Sequence, residues 1–571
     1  MRLKVSESKN TASLYVIKST YENGKRSSKV VEKLGTTATI KEKYPDCDPI
    51  KWAKEYITKL NELEKKETQE VLIRYKPSKI LAKDEQRLFG GGYLFLQRLY
   101  HDLKLDGICR DISSRYHFDF NLDEIASRLI YGRILNPSSK LACARWSKTL
   151  IEPSKADEHH YYRALEVLAR ESDFIQSELY KNSKKVHKRN DAILYYDCTN
   201  FFFEIEQEEG LKQYGPSKEH RPNPIVQMGL FMDGDGIPLA FSITEGNKNE
   251  QATLIPLEKK IMSDFEHSQF IVCTDAGLSC ALNRTFNDTA KRSFITTQSI
   301  KKLKGYLKSW ALEPSGFKLS SDGPEFDITD LDEQEYAHSV FYKERWIKEG
   351  DLEQRLIVTF SFKYRAYLRN IRRSQIERAQ KLMDSNPKSI GRHRQNDFKR
   401  FIAKRQITDN GELADRELYS IDTAKITEEE AFDGFYGVCT NLEDDAQMIA
   451  EINSRRWEIE ECFRIMKHEF KARPAYLSRD DRIKAHFMTC FIALIIYRIL
   501  EKRLDEKYTC AEIIDGLKSM NFMKATGEGF IPTYTRTQFT DDLHDVFGFR
   551  TDYQIVTTGQ MRKIIKTTKK H

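Results

Sequence analysis

Apolar positions change their period along this chain, and the changes divide it. Between residues 12 and 34 two alternating runs flank Glu22-Asn23-Gly24, and Asn-Gly between such runs predicts a β-hairpin. Residues 49–69 then read as a helix, and Lys65-Lys66 with the polar stretch to Pro77 reads as a linker. From about 80 to 190 apolar residues recur at helical spacing, as in Leu122–Tyr131 and Tyr161–Leu168. The texture then becomes that of strands. Ala192–Phe203 is an apolar run of strand length, and Ile225–Met232 and Ile237–Thr244 follow, joined by the turn-forming Asp233-Gly234-Asp235-Gly236. Asn249–Met262 reads as a helix, Gln269–Thr274 as a short buried strand and Phe294–Thr297 as another. The first three strands suit an antiparallel meander, and a fourth that arrives after a helix implies a crossover. Short strand-like pieces recur at Phe341–Tyr342 and Arg355–Phe360, and residues 447–470 and 481–503 read as long helices.

Composition narrows this picture. The 571 residues suggest about three or four domains at roughly 100–200 residues each. Hydrophobic residues make up 40%, enough for substantial cores, and 93 Lys and Arg stand against 86 Asp and Glu. A net charge of +7 is mild for this length, so its distribution matters more than its size. The ten cysteines are scattered singly with no CxxC pair, which argues against a structural zinc site and for a reducing, intracellular setting. The N-terminal ten residues lack the apolar core of a secretory signal. The most apolar run, Phe487–Leu500, is shorter than the ~20 residues that span a bilayer and contains Arg498, so it is expected as a core helix of a soluble protein with no membrane role.

Three carboxylates carry the candidate chemistry. Asp197 lies inside an apolar strand, where an ionised group is costly without a compensating cation. Asp275 follows Ile271–Thr274 and so projects from the C-terminal end of a strand, a common ligand position in α/β folds. If the two strands converge, they form a hard-oxygen site suited to Mg²⁺ or Mn²⁺. The third is Glu460. At about 100° per residue, Asn453, Arg456, Glu460, Arg464 and Lys467 share one helix face, while Ile452, Ile459, Phe463 and Met466 share a neighbouring face assigned to packing. Spacing alone also fits a salt-bridged surface helix.

This helix resembles the signature of DDE transposases of bacterial insertion sequences, in the insertion-sequence-four superfamily: Tyr, two residues, Arg, three residues, Glu, six residues, Lys. Arg456, Glu460 and Lys467 stand at the right offsets, and Asn453 departs from the Tyr position. Tyr195–Thr199 is similar to the first-Asp strand, Thr274–Gly277 to the second-Asp motif, and Gly236–Leu239 with Glu245–Asn247 to the connecting hairpin and its following turn. The resemblance covers roughly residues 190–505. It implies an α/β, ribonuclease H-like mixed sheet with flanking helices, an inserted subdomain between Asp275 and Glu460, and a mainly helical N-terminal region. It implies two divalent ions, Mg²⁺ or Mn²⁺, held by catalytic Asp197, Asp275 and Glu460. The expected reaction is cleavage of double-stranded DNA at terminal inverted repeats, then attack of the 3′-hydroxyl on target DNA without a covalent protein–DNA intermediate. Tyr195 and Tyr196 are accordingly expected to pack or to position.

Arg456 and Lys467 are expected to hold phosphates of the element's end, with Arg464, Lys218 and Arg221 as further DNA contacts. From Lys363 to Arg405 fourteen Lys and Arg stand against three acids. That tract, with Arg372, Arg373 and Arg378, is expected to touch the DNA backbone, which positions DNA without reading it. The expected organisation is a hairpin and helix at 1–75, a helical DNA-end-binding part at 76–190, a catalytic core at 191–302 and 434–505, an insertion at 303–433, and a C-terminal part with a basic tail at 506–571. Pairing two DNA ends implies a homodimer in the active complex, and the expected location is the cytoplasm, associated with the nucleoid. The competing readings are a ribonuclease H-like nuclease without strand transfer, a domesticated DNA-binding protein, and a helical scaffold unrelated to DNA.

Overall fold

The computed structural model describes the chain except residues 9–10, 23–24, 46, 68–70, 74–75, 386–396, 408–415 and 571. Two compact units emerge. The first, residues 1–85 with 525–528, contains strands β1 (Arg2–Ser8), β2 (Thr11–Glu22) and β3 (Lys25–Thr36), then helices α1 (Thr37–Lys43) and α2 (Pro49–Glu67). The expected hairpin is β2 with β3, paired antiparallel from Ser13–Thr36 to Glu22–Lys25. Its Asn23-Gly24 turn lies outside the described residues, as does part of the expected linker.

The second unit opens with a short strand, β4 (Leu88–Gly90), and six helices: α3 (Tyr93–Asp102), α4 (Leu105–Arg115), α5 (Leu122–Leu135), α6 (Lys140–Ser147), α7 (Glu158–Arg170) and α8 (Ser172–Val186). Strands β5 (Ile193–Phe202), β6 (Ile225–Asp233) and β7 (Pro238–Glu245) form the predicted meander. Helix α9 (Leu254–Asp264) then carries the chain to β8 (Phe270–Thr274), which pairs parallel with β5. After α10 (Ala281–Phe286), β9 (Arg292–Gln298) pairs parallel with β8.

Beyond α11 (Gly305–Leu312), β10 (Phe341–Glu349) and β11 (Leu352–Phe360) form a hairpin that does not leave the sheet. The long α12 (Phe362–Ser385), the ribbon β12 (Ile402–Ile407) with β13 (Arg416–Ile421), and α13 (Thr423–Glu430) lead to β14 (Phe435–Thr440). β14 inserts between β11 and β9, giving one eight-stranded mixed sheet in the order β10-β11-β14-β9-β8-β5-β6-β7. Three strands of the region expected as an insertion and its return thus continue the core sheet.

The stretch expected as one helix over 447–470 is two, α14 (Ala446–Ser454) and α15 (Trp457–Arg464), followed by a π turn at Ile465–Glu469. Bonds of i→i−3 type at Arg456, Glu458 and Ile459 tighten the joint between them. Helix α16 (Asp480–Arg503) is buried throughout Phe487–Leu500, Arg498 included, as expected for a core helix. Finally, α17 (Cys510–Ser519), β15 (Asn521–Ala525), β16 (Gly529–Pro532), α18 (Gln538–Phe547), β17 (Val556–Thr557) and α19 (Thr558–Thr568) close the chain. β15 to β17 form a small sheet with β4.

The period-two alternation of β5 explains how the sheet is covered. Tyr195 and Phe201 join the large core built with α16, whereas Leu194, Tyr196 and Cys198 join a separate core with α9. One face therefore belongs to α14, α15 and α16, and the site lies on that face.

Candidate active site

Strand register brings the two aspartates together. Tyr195 pairs with Cys273 across parallel β5 and β8. Carried two residues further, this register sets Asp197 beside Asp275, whose charge acts on the Asp197 carboxyl. Tyr195 and Cys273 both reach toward α14: the phenol donates to the Ile452 carbonyl at 2.8 Å, and the thiol contacts Asn453 Oδ1 at 3.7 Å. By period two, Asp197 and Asp275 point the same way. β9 extends the row, because Thr274 pairs with Thr296, which puts Thr297 beside Asp275.

The row's electrostatics follow from this placement. Asp197 is half-buried, and its carboxyl is pushed up to about 6 by burial, with Lys218 opposing the rise and Asp275 reinforcing it. Its Oδ1 accepts the Cys198 N–H at 2.7 Å. Asp275, also half-buried, accepts the Gly277 and Leu278 N–H groups at 2.9 and 3.0 Å, so the turn after β8 fixes its side chain.

The segment that carries Glu460 docks on the same sheet face through its neighbours. Arg456, where α15 begins, donates to Thr297 Oγ1 at 2.9 Å and lowers Asp197 electrostatically. Lys467, in the π turn, donates to Thr199 Oγ1 at 2.7 Å, two residues beyond Asp197 on the same face of β5. Glu460 lies between these two anchors. It is exposed and makes no hydrogen bond or ion pair among the described residues. Its neighbour Glu458 is different: it is buried, and it holds Arg455 at 2.8 Å and Arg498 at 3.3 Å. Arg498 also donates to the Gly236 carbonyl at 2.9 Å, which pins α15 and α16 to the β6–β7 turn.

These carboxylates suit a hard divalent cation, since two like charges stand adjacent and a third carboxylate has no partner among the described residues. Their ligand atoms do not all close to within 4.8 Å of one another, as those of Asp157, His159 and His160, or of Asp541, His544 and Asp552, do. The Asp541–His544–Asp552 cluster is internally compensated, because Arg550 holds Asp541 and Asp552.

The expected DNA contacts separate. Lys218 is exposed; its ammonium donates to the Cys198 carbonyl and lies 3.6 Å from Glu250. Lys467 is pulled down to about 8 by burial and by Lys218, with Asp197 opposing. Arg221 is exposed over the Phe202 ring. Arg464 is exposed but chelated by Glu461. Arg373 and Arg378 are exposed on α12. Arg372 is not placed to touch DNA: its side chain is 7% exposed and grips Asp433 through both terminal nitrogens. Arg392 and Arg394 of the same tract lie outside the described residues.

Several participants escaped the sequence reading. Glu219 is paired with both Lys467 and Arg473, although only its adjacency to Lys218 hints at it. Tyr436 of β14 bonds Thr297 at 2.7 Å and accepts from Asn453 at 3.3 Å. Asn453, at the position where the resembled signature has Tyr, thus holds a phenol supplied by another strand.

A family model described as a transposase DDE domain matches residues 201–496, a span that includes Asp275 and Glu460 and opens just after Asp197. Among solved structures, a piggyBac transposase synaptic complex with hairpin DNA is similar at 9% identity, over 84% of this chain and 85% of that one, with a TM-score of 0.35. No curated protein matches the chain.

Proposed function

The chain belongs to the transposase DDE domain family, whose model spans just over half of it, and from that premise we propose that it cuts double-stranded DNA at the terminal inverted repeats of its element and joins the 3′-hydroxyl ends to target DNA. The observation that carries this reading is the row of Asp197 and Asp275 on adjacent parallel strands, beneath a helix whose Glu460 is flanked by Arg456 and Lys467, both anchored to the same sheet face. The strand order β7-β6-β5-β8-β9, an antiparallel meander followed by two parallel strands, supports the ribonuclease H-like assignment. The offsets of Arg456, Glu460 and Lys467 support membership of the bacterial insertion-sequence-four superfamily, and with it an intracellular, nucleoid-associated life. A homodimer is the working assembly, because two ends must be held at once.

Asp197, Asp275 and Glu460 are the residues that would hold two Mg²⁺ or Mn²⁺ ions. Such ions, when bound, stabilise charge on the entering and leaving oxygens of a phosphodiester displacement. The chain's own contribution is positional. Gly277 and Leu278 N–H groups fix Asp275, and Arg456, Lys467 and Lys218 supply cations for the scissile strand's phosphates. Tyr195 and Tyr196 donate or share buried hydrogen bonds, with Ile452 and Thr253 respectively, so neither phenol is free to attack DNA. The test is Asp197→Asn and Asp275→Asn beside wild type, with labelled DNA carrying the element's ends and Mg²⁺. Loss of cleavage and joining with end binding retained supports the proposal. Binding without chemistry in the wild type favours a domesticated DNA-binding protein, and hydrolysis without joining favours a nuclease.

A further inference from the structure

A cavity of about 290 Å³ lies between the α5–α6 corner and the segment that follows the π turn. Arg133, Lys140, Lys471, Arg473 and His486 line it, and no carboxylate does. Two of the cations are deeply buried, for Arg133 and Lys140 are each 5% exposed. Lys140 Nζ lies 3.2 Å from His486 Nδ1. The other imidazole nitrogen is 3.0 Å from the Ala472 carbonyl, which only a protonated Nε2 can satisfy. Nδ1 is therefore a lone-pair acceptor for Lys140, and this neutral ring does not compensate the ammonium. Arg133 donates to the carbonyls of Phe470 and Ser138, but its Nε, like Ser138 Oγ, is buried without a partner among the described residues. Lys471 at the mouth is exposed and makes no ion pair among the described residues.

Buried cations without a carboxylate are costly, and folds usually pair them or replace them by apolar groups. Here burial and Arg133 pull Lys140 down to about 7. A tetrahedral oxyanion entering the cavity would meet two buried cations, unpartnered N–H and O–H donors and the first turn of α6, whose N-terminus adds partial positive charge. The cavity also continues the active site. Arg473 shares Glu219 with Lys467, which reaches Thr199 on the strand of Asp197.

We propose that this cavity is a phosphate-binding pocket that grips the backbone of a DNA strand running from the Asp197–Asp275 row toward the N-terminal helices. The proposal rests on the transposase reading for its ligand and on the cavity's own donors for its chemistry. The shared chemistry is a phosphate oxyanion, so a free phosphate is the competing source.

The experiment uses the full chain, a labelled random-sequence duplex and no divalent ion. Anisotropy gives the dissociation constant from about 50 to 200 mM KCl. Lys471→Gln and Lys140→Met are each expected to lower the slope of log affinity against log salt by about 1, the signature of one lost phosphate contact. Lys181→Gln on α8 is expected to leave the slope unchanged. In parallel, inorganic phosphate is compared with chloride at equal ionic strength for its effect on Tm, with phosphate expected to raise Tm in wild type and not in Lys140→Met. Unchanged slopes in both pocket variants overturn the DNA assignment, even if phosphate still raises the wild-type Tm. Unchanged slopes with no phosphate effect overturn the pocket altogether. Lys471→Gln alters an exposed side chain, so the slope test stands even if Lys140→Met folds poorly. A wild type that does not bind duplex at all contradicts the transposase reading instead, and the phosphate melt then decides the pocket separately.

Discussion

The tract Lys363–Arg405 holds fourteen Lys and Arg against three acids, while the pocket beside α6 is lined by only four. In the first, carboxylates from elsewhere in the chain answer part of the charge: Asp433 takes Arg372, Glu429 takes Arg400 and Glu333 takes Arg365. In the second, Glu219 is shared between Lys467 and Arg473, and Arg133, Lys140 and Lys471 have no carboxylate among the described residues. The number of cations along a stretch therefore says little about where an anion will bind. What the fold brings opposite them decides it.

The largest effect that would sharpen this comparison is at Arg372. Arg372→Ala leaves buried Asp433 with only the more distant, exposed Arg369 at 3.8 Å, and is expected to cost about 3 kcal/mol in urea unfolding. If Arg372 instead touched DNA, stability would hold and the salt slope of DNA binding would fall. Lys140 comes next and has a signed pH dependence. Its folded value of about 7 lies below the ordinary 10.5, so between these values the unfolded chain binds the extra proton. Stability from this group therefore rises with pH across that window. Measured in phosphate-free buffer, any advantage of Lys140→Met is expected to be largest below pH 7. It should shrink by up to about 1.4 kcal/mol per pH unit toward pH 10. A pH-independent difference would mean that Lys140 is not buried as an unpaired amine. The smallest effects belong to exposed Arg373 and Arg378. Their Gln variants are expected to change stability by less than about 0.5 kcal/mol, and a larger loss would show that α12 uses them as it uses Arg372.

The same contrast marks what could be read from the chain alone. Strands β5 to β9 were legible because their apolar runs are bounded by turn residues, and their observed ends differ from the expected ones by only a residue or two. Asp197 and Asp275 were legible as strand carboxylates, but their juxtaposition is a matter of register between strands far apart in sequence. The partner of Arg372 was not legible, since Asp433 lies 61 residues away and only folding brings it near. Nor was the tightened joint at Arg455–Arg456, because helical periodicity carries across so short a break. The return of β10, β11 and β14 to the core sheet was hidden for the same reason: short apolar strands announce pairing but not partners.

The most direct test of the central claim compares two glutamates two residues apart on α15. Glu458→Gln and Glu460→Gln are each assayed for thermal stability, DNA binding and Mg²⁺-dependent end cleavage. Glu458 holds Arg455 and Arg498, so its variant is expected to lose stability. The Glu460→Gln protein is expected to melt as wild type does and to bind DNA, with cleavage reduced by at least about 10³-fold. Wild-type cleavage by Glu460→Gln would contradict the account and assign the third carboxylate to another residue.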